Sequence, residues 1–194
     1  MRVTDFVKDI SKTAELGGLI DQSALRQAVW SRDASHFQIT PKLTARARDT
    51  NDVSGLLATA NRWAIPVTFR SGGSSLSGQA LGDGLVIDVR SQFQEIINIE
   101  PSYVRAQPGV NVSRVNGHLL RHGRKIGPDP ASMVVSTLGG VVANNSSGMS
   151  CGVANNSYAT ILGATIVFAD GFMFDTTTSD SEKVLERHKP ELVK

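Results

Sequence analysis

Between two apolar runs, Ile65-Pro66-Val67-Thr68-Phe69 and Leu85-Val86-Ile87-Asp88-Val89, the chain carries a stretch with almost no side-chain bulk, Arg70-Ser71-Gly72-Gly73-Ser74-Ser75-Leu76-Ser77-Gly78-Gln79-Ala80. The flanking runs are β-branched and apolar and read as buried strands. Five glycines lie between Gly72 and Gly84. Glycine permits positive φ, so successive N–H groups can converge on one point. Such a nest, fringed by serine hydroxyls, suits a phosphate or pyrophosphate, and Arg70 adds positive charge at the entrance. A flexible linker has a similar composition, but linkers rarely join two buried strands.

The surrounding pattern sets this loop on a sheet. Leu43 to Arg48 alternates apolar and polar residues, as a strand does. Thr50 reads as the N-cap of a helix whose Val53, Leu56, Leu57 and Ala60 form one apolar stripe, with Asp52 in the first turn. Residues 43–70 are therefore a strand–helix–strand unit, which favours parallel pairing and places the loop at the carboxyl end of a strand. Upstream, residues 1–30 read as helical, with Val3, Phe6, Val7 and Ile10 on one face, a break at Gly17-Gly18, and Asp21 or Ser23 as a second cap. Residues 31–41 read as extended. Downstream, Ile96–Ile99 and Tyr103–Gln107 read as short strands. Asn111 caps a helix bearing Val112, Val115 and Leu119 that ends at Gly123. Ile126-Gly127-Pro128-Asp129-Pro130 cannot be helical.

A second small-residue stretch runs from Ser136 through Thr137-Leu138-Gly139-Gly140 to Asn144-Asn145-Ser146-Ser147-Gly148. Two such stretches, each beside apolar strand material, suggest opposite jaws of one ligand cleft. Ala164 to Asp170 reads as a strand turning at Asp170-Gly171 into Phe172-Met173-Phe174. No Gly-Lys-Ser/Thr follows the glycine loop, so it is not a Walker A motif, and it lacks the G-x-G-x-x-G spacing. Nucleotide hydrolysis and a Rossmann nicotinamide site are thereby set aside. The net charge of +2 is dispersed, so nothing argues for a nucleic-acid footprint and no nucleic-acid partner is expected. No apolar run approaches the roughly 20 residues of a membrane span. One cysteine, Cys151, gives no disulfide framework.

In order and spacing, Arg70-Ser71-Gly72-Gly73-Ser74-Ser75 to Gly78, Gly127-Pro128-Asp129-Pro130, Ser136-Thr137-Leu138-Gly139-Gly140, Asn144 to Gly148 and Ala169-Asp170-Gly171 resemble the FAD-binding domain of the vanillyl-alcohol oxidase and p-cresol methylhydroxylase type. The nearer likeness is to the D-2-hydroxyacid dehydrogenase branch, including D-lactate dehydrogenase and glycolate oxidase. Asp33-Ala34-Ser35-His36-Phe37 and Asn144 to Tyr158 resemble the long members of that branch fused to an iron–sulfur region. The resemblance implies an α+β fold of two subdomains: a small parallel β-α-β lobe (1–92), a larger, mainly antiparallel lobe with flanking helices (93–175), and a charged tail (176–194). It implies FAD between them, with Arg70, Ser71, Gly72, Gly73, Ser74, Ser75, Ser77 and Gly78 at the pyrophosphate. Pro128, Asp129, Ser136, Thr137, Gly139 and Gly140 would line the ribityl and ring side. Asn145, Ser147 and Gly148 would complete the pocket, with Gly152, Tyr158 and Gly163 at its margin.

Members that attach flavin covalently through this loop have histidine where this chain has Ser74, so non-covalent FAD is expected. The implied function is oxidation of a small D-2-hydroxy acid with hydride transfer to FAD. An NADPH- and FAD-using cell-wall precursor reductase and a non-catalytic nucleotide-binding module are the alternatives. The family adds a closing strand and a substrate-binding cap after Asp170-Gly171. The chain therefore reads as an N-terminal piece, with substrate contacts, catalytic residues and any iron–sulfur cluster elsewhere. A cytoplasmic location, either free or peripheral to the inner face of the membrane, is the expectation. His118 and His122 have i, i+4 spacing but no third ligand and read as a solvated pair beside Arg121, with no metal expected. Cys151 reads as buried and inert, Trp30 and Trp63 as core or rim residues, Arg46 and Arg48 as surface charges, and His36 as a packing or hydrogen-bonding residue.

Overall fold

The computed structural model describes residues 2–193. Helix α1 (Arg2–Ile10) and the short α2 (Ala14–Gly17) precede strand β1 (Ile20–Asp21) and α3 (Ala24–Val29). The helical reading of residues 1–30 thus needs correcting at β1, which pairs antiparallel with β2 (Leu43–Arg46). Two residues are too short to show a period; Thr44 Oγ1 fixes them by donating to Asp21 O at 2.8 Å. Ser23 caps α3 by accepting from Arg26 N–H.

Helix α4 (Thr50–Arg62) follows, and its cap is Asp49 rather than Thr50. The Asp49 carboxylate accepts from Asp52 N–H at 2.9 Å. Both residue types cap well; the Asp52 carboxylate in turn pairs with Arg48, Nε to Oδ2 at 2.8 Å. After α4, Ala64 takes φ +50 and turns the chain, so strand β3 starts at Val67, past Pro66, and ends at Arg70. Strand β4 (Leu85–Asp88) is buried throughout. The sheet order is β1-β2-β4-β3, with β2, β4 and β3 parallel. Because β3 and β4 run the same way, residues 71–84 must travel from the carboxyl end of one to the amino end of the other. Parallel neighbours need a crossover of about a dozen residues or more, and a helix usually provides it; here the glycine loop does. Phe6, Ile10, Leu43, Leu56, Leu85 and Ile87 anchor the core between this sheet and helices α1 and α4.

The second region contains hairpin β5 (Ile96–Ile99) and β6 (Val104–Ala106), then α5 (Val112–Leu119), α6 (Leu138–Ala143) and α7 (Ser157–Thr160). Asn111 caps α5 and Gly123, at φ +63, closes the turn after it. Val110, Val115 and Leu119 form its buried cluster, packed against Ile96, Ile99, Val104 and Leu138. Hairpin β7 (Thr165–Val167) and β8 (Met173–Asp175) returns to the first region: Ser54 Oγ donates to Gly171 O at 2.6 Å, and Val167 packs on the first core. Helix α8 (Ser181–His188) docks through His188, stacked on Phe172 with ring centroids 4.4 Å apart. No helix among the described residues is long and apolar enough to cross a membrane.

Candidate functional site

The glycine loop is shaped from below and from the side. Gly73 has φ +65, and its α-carbon rests on the Arg70 guanidinium, so a β-carbon there would strike the guanidinium. Arg70 is half-buried, with one long bond from Nη1 to Ala80 O at 3.5 Å. Burial pushes its pKa down, against the opposing pull of the Asp33 and Asp88 carboxylates. Ser75 Oγ accepts from Ser77 N–H and from Gln79 N–H, each at 3.2 Å, and its hydroxyl also bonds the Gln79 carboxamide. Among the described residues, the N–H groups of Gly72, Gly73, Ser74 and Ser75 donate to no protein acceptor. Four consecutive free amides, with a half-buried guanidinium beneath Gly73, offer donors and positive charge to an anion.

The second wall stands directly opposite. Ser71 and Thr137 join hydroxyl to hydroxyl. The Gly72 α-carbon abuts the Val135 carbonyl so closely that a side chain would collide with it. Thr137 precedes α6 in extended conformation at its N-cap position. Residues 138–143 of the second small-residue stretch form a helix, which ties up backbone amides that a stretch of such small residues offers when unpaired. Asn111 orders this wall by donating from Nδ2 to Val134 O at 2.7 Å and Ser136 O at 3.1 Å. Ser136 is 7% exposed, and its Oγ is buried without a partner. A β-carbon on Gly140 would lie 3.8 Å from Ser71 Oγ and 3.9 Å from Thr137 Oγ1, so Gly140 stands beside both hydroxyls.

The remaining sequence-predicted residues form a second group. Asp129 N–H donates to Ser147 O at 2.9 Å, and Asp129 Oδ2 accepts from Ser150 N–H at 3.3 Å with Lys125 Nζ 3.7 Å away. Hydrogen bonding from Ser150, helped by Lys125, holds this carboxyl below the usual carboxylate range. Gly148, at φ +133, packs against Asp129, whose Oδ1 is buried and unpaired, while Pro128 is buried beside it. Asn145, at φ +44, accepts from Tyr158 N–H at 3.0 Å, leaving Tyr158 itself 62% exposed. Gly139 packs on Pro108, Gly163 on Thr177, and a β-carbon on Gly152 would meet nothing. Ser77 is exposed, and its N–H is already used within the loop. The structure thus gathers Ser71 to Ser75 with Ser136, Thr137 and Gly140, ties Asp129 to Ser147 and Gly148, and leaves Gly152 apart.

Two contributors were missed by sequence reasoning. One is the Val135 carbonyl, a backbone group that composition cannot reveal. The other is the segment Asp33–Phe37: Ala34 N–H donates to Gly73 O at 3.0 Å, and Phe37 Cδ2 would lie 3.0 Å from a β-carbon on Gly78. His36, within it, is exposed. Elsewhere, Arg46 pairs with Asp88 at 3.6 Å, Trp63 Nε1 donates to Asp9 at 2.9 Å, and the buried Cys151 donates to Gly152 O at 3.2 Å. His122 borders a cavity of about 290 Å³ with Glu100 and Arg124, remote from the glycine loop in sequence.

These features suit a ligand with two phosphates and a polyol. Unpaired amides match the phosphates, and the orphan Ser136 hydroxyl matches a ligand hydroxyl. Comparison with known proteins agrees. The chain is 29% identical over 179 residues to D-2-hydroxyglutarate dehydrogenase of Escherichia coli K12, covering 90% of this chain and 18% of that protein. It is 33% identical over 120 residues to glycolate oxidase subunit GlcD of the same organism, covering 60% of this chain and 24% of that protein. The chain thus spans about a fifth to a quarter of the length of these curated relatives. Among solved structures, p-cresol methylhydroxylase with substrate bound superposes with a TM-score of 0.74 at 16% identity, over 93% of this chain and 37% of that one. Alkyldihydroxyacetonephosphate synthase gives 0.74 at 19% identity, over 89% and 34%. Both show the same two-subdomain α+β fold. With residues 41–177 matching the FAD binding domain family, the chain belongs to that family.

Proposed function

We propose that this chain holds FAD non-covalently for a flavin-dependent oxidoreductase that oxidises a small D-2-hydroxy acid to the 2-oxo acid. The observation that carries the reading is the row of free N–H groups from Gly72 to Ser75, on a loop joined to the second wall through Ser71 to Thr137 and Gly72 to Val135. Ser71 to Ser75 would take the pyrophosphate, with Arg70 supplying charge from behind the backbone. Ser136, Thr137 and Gly140 would take the ribityl side. Asp129, through Ser147 and Ser150, would hold the turn that bounds the cleft. Ser74 offers no ring nitrogen for a covalent flavin link. The bound flavin would supply the hydride-accepting ring; the residues named here bind it, orient it and keep water from one face. The hydroxy-acid class rests on the relatives named D-2-hydroxyglutarate dehydrogenase, glycolate oxidase subunit GlcD and D-lactate dehydrogenase.

Titration of the full chain with FAD, followed by flavin fluorescence, tests the cofactor. FAD binding with competition by ADP is the expected result; a folded chain that leaves FAD fluorescence unchanged overturns it. Anaerobic addition of D-lactate, glycolate or D-2-hydroxyglutarate to a flavin-loaded enzyme that joins this chain to the substrate-binding part expected outside it tests the substrate class. One of the three should bleach the visible flavin absorption, and bleaching by NADPH alone would favour the reductase alternative.

A further inference from the structure

The family match begins at residue 41, yet the glycine loop it contains is gripped by residues that precede that boundary. The chain from Asp33 to Phe37 holds its own shape first. Asp33 Oδ1 accepts from Ser35 N–H at 2.8 Å, and Ser35 Oγ accepts from Phe37 N–H at 3.1 Å. These successive side-chain-to-backbone bonds are Asx- and Ser-type turns, which fix a short segment without helix or strand. The arch then meets the loop twice. Ala34 N–H donates to the Gly73 carbonyl, and the Phe37 ring lies on the Gly78 α-carbon. Gly73 and Gly78 are the two positive-φ residues of the loop, at +65 and +78. Both contacts therefore fall where the loop backbone changes hand, and where its conformation is least restricted by its own sequence. A third link is electrostatic: the Asp33 carboxylate acts on the half-buried Arg70 guanidinium under Gly73, and Asp33 Oδ2 is itself buried without a partner.

We propose that Asp33–Phe37 is a clasp that keeps the glycine loop in its anion-binding shape, with Phe37 a positioning residue acting through Gly78. This rests on the flavin reading above and adds to it: the cofactor cradle extends beyond the matched domain into the upstream arch. The free amides of Gly72 to Ser75 have no internal bonds to hold them in one arrangement, so their arrangement depends on restraints at the loop's hinges. Preorganisation of this kind raises affinity by removing an ordering cost from the binding step. Phe37 is 57% exposed, so its ring adds little to the core while standing directly against the loop.

The test uses the full chain as wild type, Phe37→Ala and Phe37→Tyr, with three measurements: thermal unfolding without cofactor, hydrogen exchange of the 70–80 segment without cofactor, and FAD affinity. For Phe37→Ala, the hydrogen-bonded amides of that segment, Ser77 and Gln79, should exchange about tenfold faster and FAD should bind about tenfold more weakly, each near 1.4 kcal/mol. The apo Tm should stay within about one degree of wild type, and Phe37→Tyr should restore both quantities. Unchanged exchange in Phe37→Ala overturns the clasp. Faster exchange with unchanged FAD affinity also overturns it, as does a fall in apo Tm large enough to account for the loss of affinity. A wild-type chain that takes up no FAD sinks the flavin reading by itself, and the exchange measurement then still decides whether Phe37 restrains the loop.

Discussion

Gly72 is the residue where the two walls come closest. A methyl group there points at the Val135 carbonyl, and neither backbone can yield without parting Ser71 from Thr137. Gly72→Ala should cost about 1–3 kcal/mol, the usual range for overpacking, read as a lower denaturant midpoint with unchanged slope. It should also weaken FAD binding by about tenfold or more. The glycine was legible as part of a phosphate loop; its packing role was not, because the partner is a carbonyl far downstream at Val135. Arg70 shows the same limit. Its charge was readable at the loop entrance, but only the fold reveals that the guanidinium lies beneath Gly73.

At the scale of elements, α5 organises the second wall. Asn111 caps the helix with Oδ1, and its Nδ2 reaches Val134 O and Ser136 O. Replacing the cap by alanine should cost about 1 kcal/mol for the helix alone, and more once two carbonyls lose their donor. Asn111→Asp separates the two roles, since it retains the cap acceptor and loses the donor. It should leave α5 helicity near wild type by circular dichroism while weakening FAD binding. The cap at Asn111, the stripe of α4 and the parallel unit were plain from residue type and period. Helix α6 was not, because Leu138-Gly139-Gly140-Val141-Val142-Ala143 has neither an amphipathic period nor strong propensity. Tertiary bonds start it: Leu138 N–H donates to Val110 O and Gly139 N–H to Pro108 O, at 2.9 and 2.8 Å. Strand β1 escaped notice for a related reason, since two residues define no pattern.

The whole molecule rests on two apolar clusters of unequal size. Leu56 is fully buried in the larger one, and Leu56→Ala should cost about 2–5 kcal/mol by denaturant unfolding. Its acid response follows from the carboxylates. Asp52 is held below its ordinary pKa first by the Arg48 hydrogen bond, Asp9 first by Trp63, and Asp170 first by Lys189. A carboxyl whose folded pKa is depressed contributes fully above its unfolded value and loses that contribution as pH falls through the folded one. Stability should therefore hold from neutrality down to roughly pH 4 and decline below it. A midpoint temperature that instead dropped between neutrality and mildly acidic pH would point to histidine control.

The hydroxyl of Ser54 finds its acceptor in Gly171, 117 positions downstream, and Val167 packs against the same core. During synthesis, then, the early sheet and α4 leave the ribosome long before the hairpin that covers them. That interval leaves open the face of α4 at Ser54 and Ala58, where Gly171 packs, and the part of the apolar core that Val167 meets. Distant pairings of this sort form late and leave sticky surface open meanwhile. A nascent chain arrested before residue 165 should accordingly recruit chaperones more strongly than one released after residue 175.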